Sequence, residues 1–257
     1  MVSALQVNEL RKITGAGMME CKNALVEAAG NSDKAVDILR KKGISKAAKK
    51  SNRETAEGAV FIEKTNQKAA IVLIGCETDF VAKNENFQKF GKEIATLAVE
   101  KGEQSALQQA EKQIKNLIGT IGENMKVLDI KILESNIIGS YTHTNGKIGV
   151  LVGLKEGEET VASDVAMHAA AMNPNVLSPE EVEDSLVAKE REIWIEQLKN
   201  AGKPENIIEN ILKGKEKKFR GENALLTQSF VKNPSETVAE FLKSKNSQIT
   251  QFIRLAI

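Results

Sequence analysis

The sequence predicts an α+β protein, and three observations carry that expectation. The first fifty residues place apolar side chains at helical spacing between glycine breaks, the chain then switches twice to a period of two, and each switch is followed by a helical stretch. Aromatic residues make up 4% of the chain and the hydrophobic set 41%, so the core is expected to be built from Ile, Leu, Val and Ala. That composition suits helices on small sheets better than one large β core.

The opening segment reads as three short helices. Leu5, Leu10 and Ile13 stripe the first, which stops at Thr14-Gly15-Ala16-Gly17, where two glycines permit a tight reversal. Met18 to Ala29 is the second, with Cys21, Ala24, Leu25 and Ala28 at helical spacing. Ser32 is placed to cap the third, Asp33–Lys42, with Val36 and Leu39 inward and Gly43 as its stop. An Ala/Lys-rich linker over Ile44–Thr55, partly helical, is expected to lead away and close a first unit at residues 1–55.

Residues 56–136 read as a second unit. Gly58–Ile62 and Lys68–Cys76 flank Thr65-Asn66-Gln67 as a β-hairpin, and helices follow over Asn84–Lys101 and Ser105–Ile118. Leu128, Ile130 and Ile132 then alternate with Asp129 and Lys131 as a third strand. Residues 137–257 repeat the scheme with Gly139–His143, the turn Thr144-Asn145-Gly146, Lys147–Leu154, a helix over Glu159–Met172, and Ile249–Leu255 as last strand. Lys68-Ala-Ala-Ile-Val-Leu aligns with Lys147-Ile-Gly-Val-Leu-Val, which supports two copies of one β-β-α-β unit, each a small antiparallel sheet with helices.

The second copy carries an insertion at 179–221. Ser178-Pro179-Glu180-Glu181 has the pattern of an N-cap, a first-position proline and a third-position glutamate, so a helix is expected from there to Ala201. Gly202-Lys203-Pro204 turns it, and Ile207, Ile208, Ile211 and Leu212 face Leu186, Ile193 and Leu198. Such a projecting antiparallel hairpin serves as a spacer, or as an arm for dimerisation or a partner.

Charge and composition exclude several classes. Thirty-six basic residues against thirty-five acidic give +1, without the surplus a dedicated nucleic-acid binder carries, and the basic run Lys41, Lys42, Lys46, Lys49, Lys50 and Arg53 reads as a solvated helix and linker. Cys21 and Cys76 fit no metal spacing, so a reducing compartment is expected and neither metal nor cofactor is. Met1–Lys12 has the character of neither a signal nor a transit peptide, and the apolar run Ala69–Gly75 is far short of a membrane span; a soluble, cytoplasmic protein is expected. No Gly-x-x-x-x-Gly-Lys-[Ser/Thr] loop occurs, and nothing supports a nucleophile beside His143 or His168, so no enzyme is expected.

The segment with the strongest claim to function is Cys76-Glu77-Thr78-Asp79-Phe80-Val81-Ala82-Lys83-Asn84, between an apolar strand and a helix, where loops present residues to partners. Thr78 or Asp79 can cap the helix. Read from the residues alone, Phe80 belongs under Phe87 and Phe90 in the core rather than at a contact.

A family resemblance reverses that ranking. Leu10-Arg-Lys-Ile-Thr-Gly-Ala-Gly-Met-Met-Glu-Cys-Lys-Asn-Ala-Leu25 resembles the amino-terminal signature of the elongation factor Ts family, and Thr78-Asp-Phe-Val-Ala-Lys83 resembles its second signature. Ile121-Gly-Glu-Asn124, Gly139-Ser-Tyr-Thr-His143, Ala166-Met-His-Ala-Ala170 and Phe230-Val-Lys-Asn-Pro234 follow in the family's order, so the resemblance spans essentially the whole chain. It implies a UBA-like opening bundle, amino- and carboxyl-terminal core subdomains and a coiled-coil hairpin. It further implies a guanine nucleotide exchange factor for elongation factor Tu, meeting that GTPase in its GDP-bound and nucleotide-free states and binding no nucleotide itself.

By the same resemblance, Leu10, Met18, Met19 and Lys22 anchor the bundle to the partner. Asp79 and Phe80, within Thr78, Val81, Ala82 and Lys83, form a wedge between helices of the GTPase domain. Ile121 and Gly122 lie near it, His143 touches the same partner surface, and Val231 is a further contact, with Phe230 either core or contact. Longer family members continue past the point where this chain ends, Arg254-Leu-Ala-Ile257, into a further partner-contacting helix, so a weaker hold is expected. Two other readings compete: an adaptor that recognises a folded protein through the Thr14–Met18 loop without exchange, and an RNA-associated ribosomal factor using the basic run.

Overall fold

The structure is a computed structural model that describes residues 2–257; Met1 and the side chain of Lys46 lie outside the described residues. It is α+β, with helices and small antiparallel sheets. In chain order the elements are α1 (Ala4–Thr14), α2 (Met18–Glu27), α3 (Ser32–Lys50), β1 (Glu57–Lys64), β2 (Lys68–Cys76), α4 (Asp79–Ala82), α5 (Glu85–Lys101), α6 (Glu103–Ile121) and β3 (Met125–Glu134). There follow β4 (Ile137–Thr142), β5 (Ile148–Glu156), α7 (Glu159–Met172), α8 (Asp184–Asn200), α9 (Glu205–Asn223), β6 (Ser229–Phe230), β7 (Asn233–Thr237), α10 (Val238–Ser244) and β8 (Gln248–Ala256).

The first three helices close around Val7, Leu10, Cys21, Ala24, Leu25 and Ala35. Ser3 caps α1 in a capping box with Gln6. The buried face of α1 is Val7 and Leu10, whereas Leu5 and Ile13 are 68% and 72% exposed. At about 100° per residue Leu5 stands nearly opposite Val7, so the expected stripe was centred on the wrong side. α3 is capped by Asn31, whose side chain accepts from Lys34 N at 2.9 Å, rather than by Ser32.

α3 also does not stop at Gly43. It continues to Lys50 because Gly43 lies against Gly119 of α6, where a Cβ on Gly119 would stand 2.5 Å from the Gly43 Cα. The glycine that reads as a stop is a point of backbone contact between two helices. Residues 44–50 are therefore packed helix, and the bundle is docked on α6 rather than carried on a free linker.

Each three-stranded sheet has its second strand in the centre, β1-β2-β3 and β4-β5-β8, and β6 pairs with β7 in a separate two-stranded sheet. The two three-stranded sheets share one strand order, and in each the helices lie between the second and third strands in chain order. Leu128 breaks the expected alternation. Asp129 pairs Leu73 and Val127 pairs Ile74, so Leu128 is the unpaired residue of a β-bulge and is 45% exposed.

The sheets pack face to face through Val60, Ile71, Leu73 and Leu133 of the first and Ile138 and Leu151 of the second. On its outer face the first sheet buries Phe61, Val72 and Ile74 against Phe87, Ile94 and Ala98 of α5. The second buries Val150 and Val152 against Val161, Val165 and Ala169 of α7, with Phe241 of α10. β2 is thus covered on both faces, the physical reason for its unbroken apolar run.

In the insertion, Pro179–Glu181 forms a separate 3₁₀ turn, Val182 is extended, and α8 begins only at Asp184. Ser178 Oγ does donate to Glu181 Oε1 at 3.0 Å, but it braces that turn instead of capping the helix. α8 and α9 pack through Trp194 and Leu198 on Ile208 and Leu212, leaving Leu186 and Ile193 43% and 49% exposed. Leu198 lies on the buried face as expected, whereas at Leu186 and Ile193 the buried neighbours are Val187 and Trp194, one residue further on. Arg220 to Asp184 and Arg191 to Glu209, each at 2.6 Å, pin the two helices together.

Candidate partner-binding surface

The surface is built from the end of β2. Thr78, extended at φ −130° and ψ 157°, stops the strand, and its hydroxyl accepts from Val81 N at 3.4 Å to open α4. In so short a helix, adjacent residues must point in different directions. Val81 and Ala82 turn inward to 6% and 9% exposure, while Phe80 turns outward and is 81% exposed. The core position beside Phe87 is occupied by Phe61, ring centroids 5.9 Å apart, so Phe80 is not needed there.

Charges surround the exposed ring. Asp79 pairs with Lys83 at 2.8 Å, which holds its carboxyl below the ordinary carboxylate value, and Lys147 acts on it in the same direction. Lys147 itself pairs with Glu57 at 2.6 Å. The exposed Asp79–Lys83 pair contributes little stability, so its effect is to orient side chains. Gly146 O accepts from Val60 N at 2.8 Å, which fixes the β4–β5 turn beside β1 and brings Lys147 to the margin of α4. His143 opens that turn, is exposed, and meets the Tyr141 hydroxyl through Nδ1 at 3.2 Å.

On the other side of α4 lies the C-terminal end of α6. Ile121 and Gly122 are partly exposed, and Gly122, at φ +91°, ends the helix in the left-handed region. Lys50 donates to the Gly122 carbonyl. Thr120 Oγ1 donates to Thr14 O at 3.4 Å, so the Thr14–Gly17 loop abuts this same helix end. From that loop α2 presents Met18 and Met19, 52% and 62% exposed, together with exposed Lys22. A chain of contacts therefore joins the bundle, the end of α6, α4 and the β4–β5 turn.

Three of the expected contact residues are corrected. Leu10, Val81 and Ala82 are buried at 1%, 6% and 9%, because each faces the interior of its helix packing. They shape the surface from beneath. Glu123 was missed, although it forms part of the Ile121–Asn124 motif; a glutamate just past a helix end reads as solvated. Its carboxylate accepts from Thr78 N at 3.0 Å and from Thr78 Oγ1 at 2.8 Å.

Cys76 Sγ donates to Thr78 O at 3.1 Å, and burial, with the charges of Glu123 and Glu57, pushes the thiol up to about 11. A thiol that stays protonated is a brace and a poor nucleophile.

Val231 stands apart from this row, on the β6–β7 turn, at 41% exposure, while Phe230 is buried and stacks on Phe241 at 4.1 Å. Val231 N donates to Nδ1 of the fully buried His168, whose Nε2 meets Gln228 Oε1, each at 3.0 Å. This fixes the neutral tautomer with hydrogen on Nε2. Burial lowers the His168 pKa, opposed by the Gln228 bond.

Above an ordinary histidine value of about 6.5 both folded and unfolded states hold the imidazole neutral, and its contribution to stability is complete. Below that pH the unfolded chain takes up the proton first, so stability falls until the depressed folded value is passed. Melting of His168→Gln and wild type from pH 8 to pH 5 should show a steeper loss in wild type; parallel curves would contradict the assignment.

Among the described residues no group of three His, Cys, Asp or Glu side chains could hold a metal ion, and no helix is long and apolar enough to cross a membrane. An exposed phenylalanine on a braced turn and exposed methionines on a docked bundle are apolar side chains of the kind found in proteins that dock on another protein.

Comparison with known proteins specifies the family. Residues 77–257 match the family model described as Elongation factor TS. The chain is also 43% identical to elongation factor Ts of Hydrogenovibrio crunogenus (strain DSM 25203 / XCL-2) over 269 residues, covering 100% of this chain and 91% of that relative. The chain belongs to the elongation factor Ts family.

Proposed function

We propose that this chain is the guanine nucleotide exchange factor of elongation factor Tu in translation elongation, and that Phe80 is its wedge. The observation that carries the reading is the 81% exposure of Phe80 on a turn whose neighbours are locked in place. An exchange factor must bind the nucleotide-free GTPase better than the GDP form, since equal affinity shifts nothing, and the coupling is reciprocal. Burying one phenylalanine in the partner supplies roughly 1.5–3 kcal/mol, a sizeable share of such a coupling. Inserted between helices of the GTPase domain, Phe80 displaces them and disturbs the magnesium site and the phosphate loop.

Met18, Met19 and Lys22 anchor the bundle, with the methionines supplying an adaptable apolar surface. Thr78, Asp79 and Lys83 frame the wedge, Ile121 and Gly122 flank it, and His143 and Val231 add outlying contacts. In this reading residues 1–55 are a UBA-like bundle, 56–136 and 137–257 two core subdomains, and the setting is the cytoplasm. The hairpin leaves Leu186, Ile193 and Ile207 exposed, which suits self-association; a monomeric mass by light scattering at high concentration is the contrary result.

The test is release of a fluorescent GDP analogue from elongation factor Tu. Acceleration by the wild-type chain is expected. No acceleration of a demonstrably active partner would overturn the reading and favour the adaptor. The RNA reading is weakened by the basic run itself, where Lys42 pairs with Glu27, Arg53 with Glu77, and Lys50 with the Gly122 carbonyl.

A further inference from the structure

We infer that Glu123 is a positioning residue for Phe80, acting through Thr78 to set where the phenylalanine stands. The inference rests on the exchange-factor reading and deepens it. Phe80 is 81% exposed, so its own packing does not hold it. Its place is inherited from α4, a helix of four residues, too short to be stable on its own.

Val81 and Ala82 seat α4 on the core from beneath, and its N-terminal side is held by side chains. Glu123 accepts from Thr78 N on one oxygen, at 3.0 Å, and from the Thr78 hydroxyl on the other, at 2.8 Å. Because the hydroxyl proton goes to Glu123, the lone pairs of Thr78 Oγ1 stay free to accept from Val81 N. One carboxylate thus fixes the backbone of the capping residue and the direction of its cap.

The neighbouring residues repeat the grip in the opposite sense. Asn124 N donates to Glu77 Oε1 at 2.6 Å, and Asn124, 1% exposed, donates through Nδ2 to Arg53 O at 2.7 Å. Each of the two residues before α4 is therefore held by one residue of the turn that follows Gly122. The left-handed backbone of Gly122 reverses the chain so that both can face it. A glutamine at 123 keeps the size of the side chain but loses the charge and turns one acceptor into a donor, so Thr78 Oγ1 can only accept from that amide nitrogen and its proton is no longer fixed away from Val81 N.

The experiment is a double-mutant cycle on the rate of GDP release from elongation factor Tu, measured against chain concentration for wild type, Glu123→Gln, Phe80→Ala and the double variant. Glu123→Gln should lower the maximal release rate about tenfold, with a smaller change in half-saturating concentration, and should cause no further loss in the Phe80→Ala background. Equal losses in both backgrounds, or a full maximal rate per folded molecule with only a lower thermal midpoint, would overturn the inference.

A wild type without activity, or a Phe80→Ala variant as active as wild type, would instead overturn the underlying reading; neither outcome involves Glu123. Amide hydrogen exchange supplies a readout independent of activity. Thr78 should be protected in wild type and lose that protection in Glu123→Ala, which removes both acceptors, with β2 amides unchanged, and fast exchange at Thr78 in wild type would refute the clasp itself.

Discussion

Phe80→Ala is expected to remove most of the acceleration of GDP release while leaving the thermal midpoint of the chain unchanged. The two halves of that result have one cause. A side chain that is 81% exposed contributes almost nothing to the packed core, so deleting it leaves no cavity. The same side chain, once buried in a partner, supplies roughly 1.5–3 kcal/mol, so its loss lowers the release rate by about one to two orders of magnitude. Stopped-flow release of a fluorescent GDP analogue, paired with calorimetry of the free chain, separates the two effects. A variant that lost stability as well would place Phe80 in the core, and a variant with full activity would leave the exchange reading without its wedge.

Gly119→Ala is expected to destabilise the chain and weaken exchange, whereas Gly43→Ala is not. The pair lies at one helix crossing, yet the two sites are not equivalent. A Cβ on Gly119 would stand 2.5 Å from the Gly43 Cα, a backbone atom that cannot swing aside, so α3 and α6 must part. A Cβ on Gly43 would meet the Gly119 Cα at 3.4 Å, close to an ordinary contact, and alanine there also improves helix propensity.

Overpacking of the first kind costs about 1–3 kcal/mol. It also loosens Lys50 from the Gly122 carbonyl and Arg53 O, just past α3, from Asn124, so the turn that grips Glu77 and Thr78 loses two of its supports. Thermal melts should separate the two variants, and trypsin should cut faster after Lys49, Lys50 or Arg53 in Gly119→Ala alone. Equal behaviour of the two would mean that the bundle is not docked as described.

Much of the fold was legible because its determinants are local. The boundaries of β2 and α7 follow from an unbroken apolar run and a helical run with turn signals beside them, and both match the sequence reading residue for residue. Strand, turn and strand recur in the same order along the chain, and the orders of the two three-stranded sheets agree. The order of the motifs also sufficed to indicate the family.

Failures gathered where two elements meet. Leu5, Ile13, Leu186 and Ile193 are apolar at helical spacing, but the side of a helix that is buried depends on what packs against it, and the choice between neighbouring stripes is not written in the helix alone. Ser178 and Glu181 form the expected pair, yet the chain straightens at Val182 before the helix starts.

The amino-acid sequence by itself determined the α+β class and the motifs that carry the family resemblance, since each rests on residues close together in the chain. Only the tertiary structure decided that Gly43 is a contact and not a stop, that Leu10, Val81 and Ala82 lie beneath the surface, and that Glu123 grips Thr78 across a sequence separation of 45 residues. It also decided the place of Phe80. A phenylalanine near two others in sequence reads as core, but Phe61 arrives from β1 to fill the site beside Phe87, and Phe80 is left to solvent. Burial is a property of the space remaining once all elements have packed, and no local pattern records it.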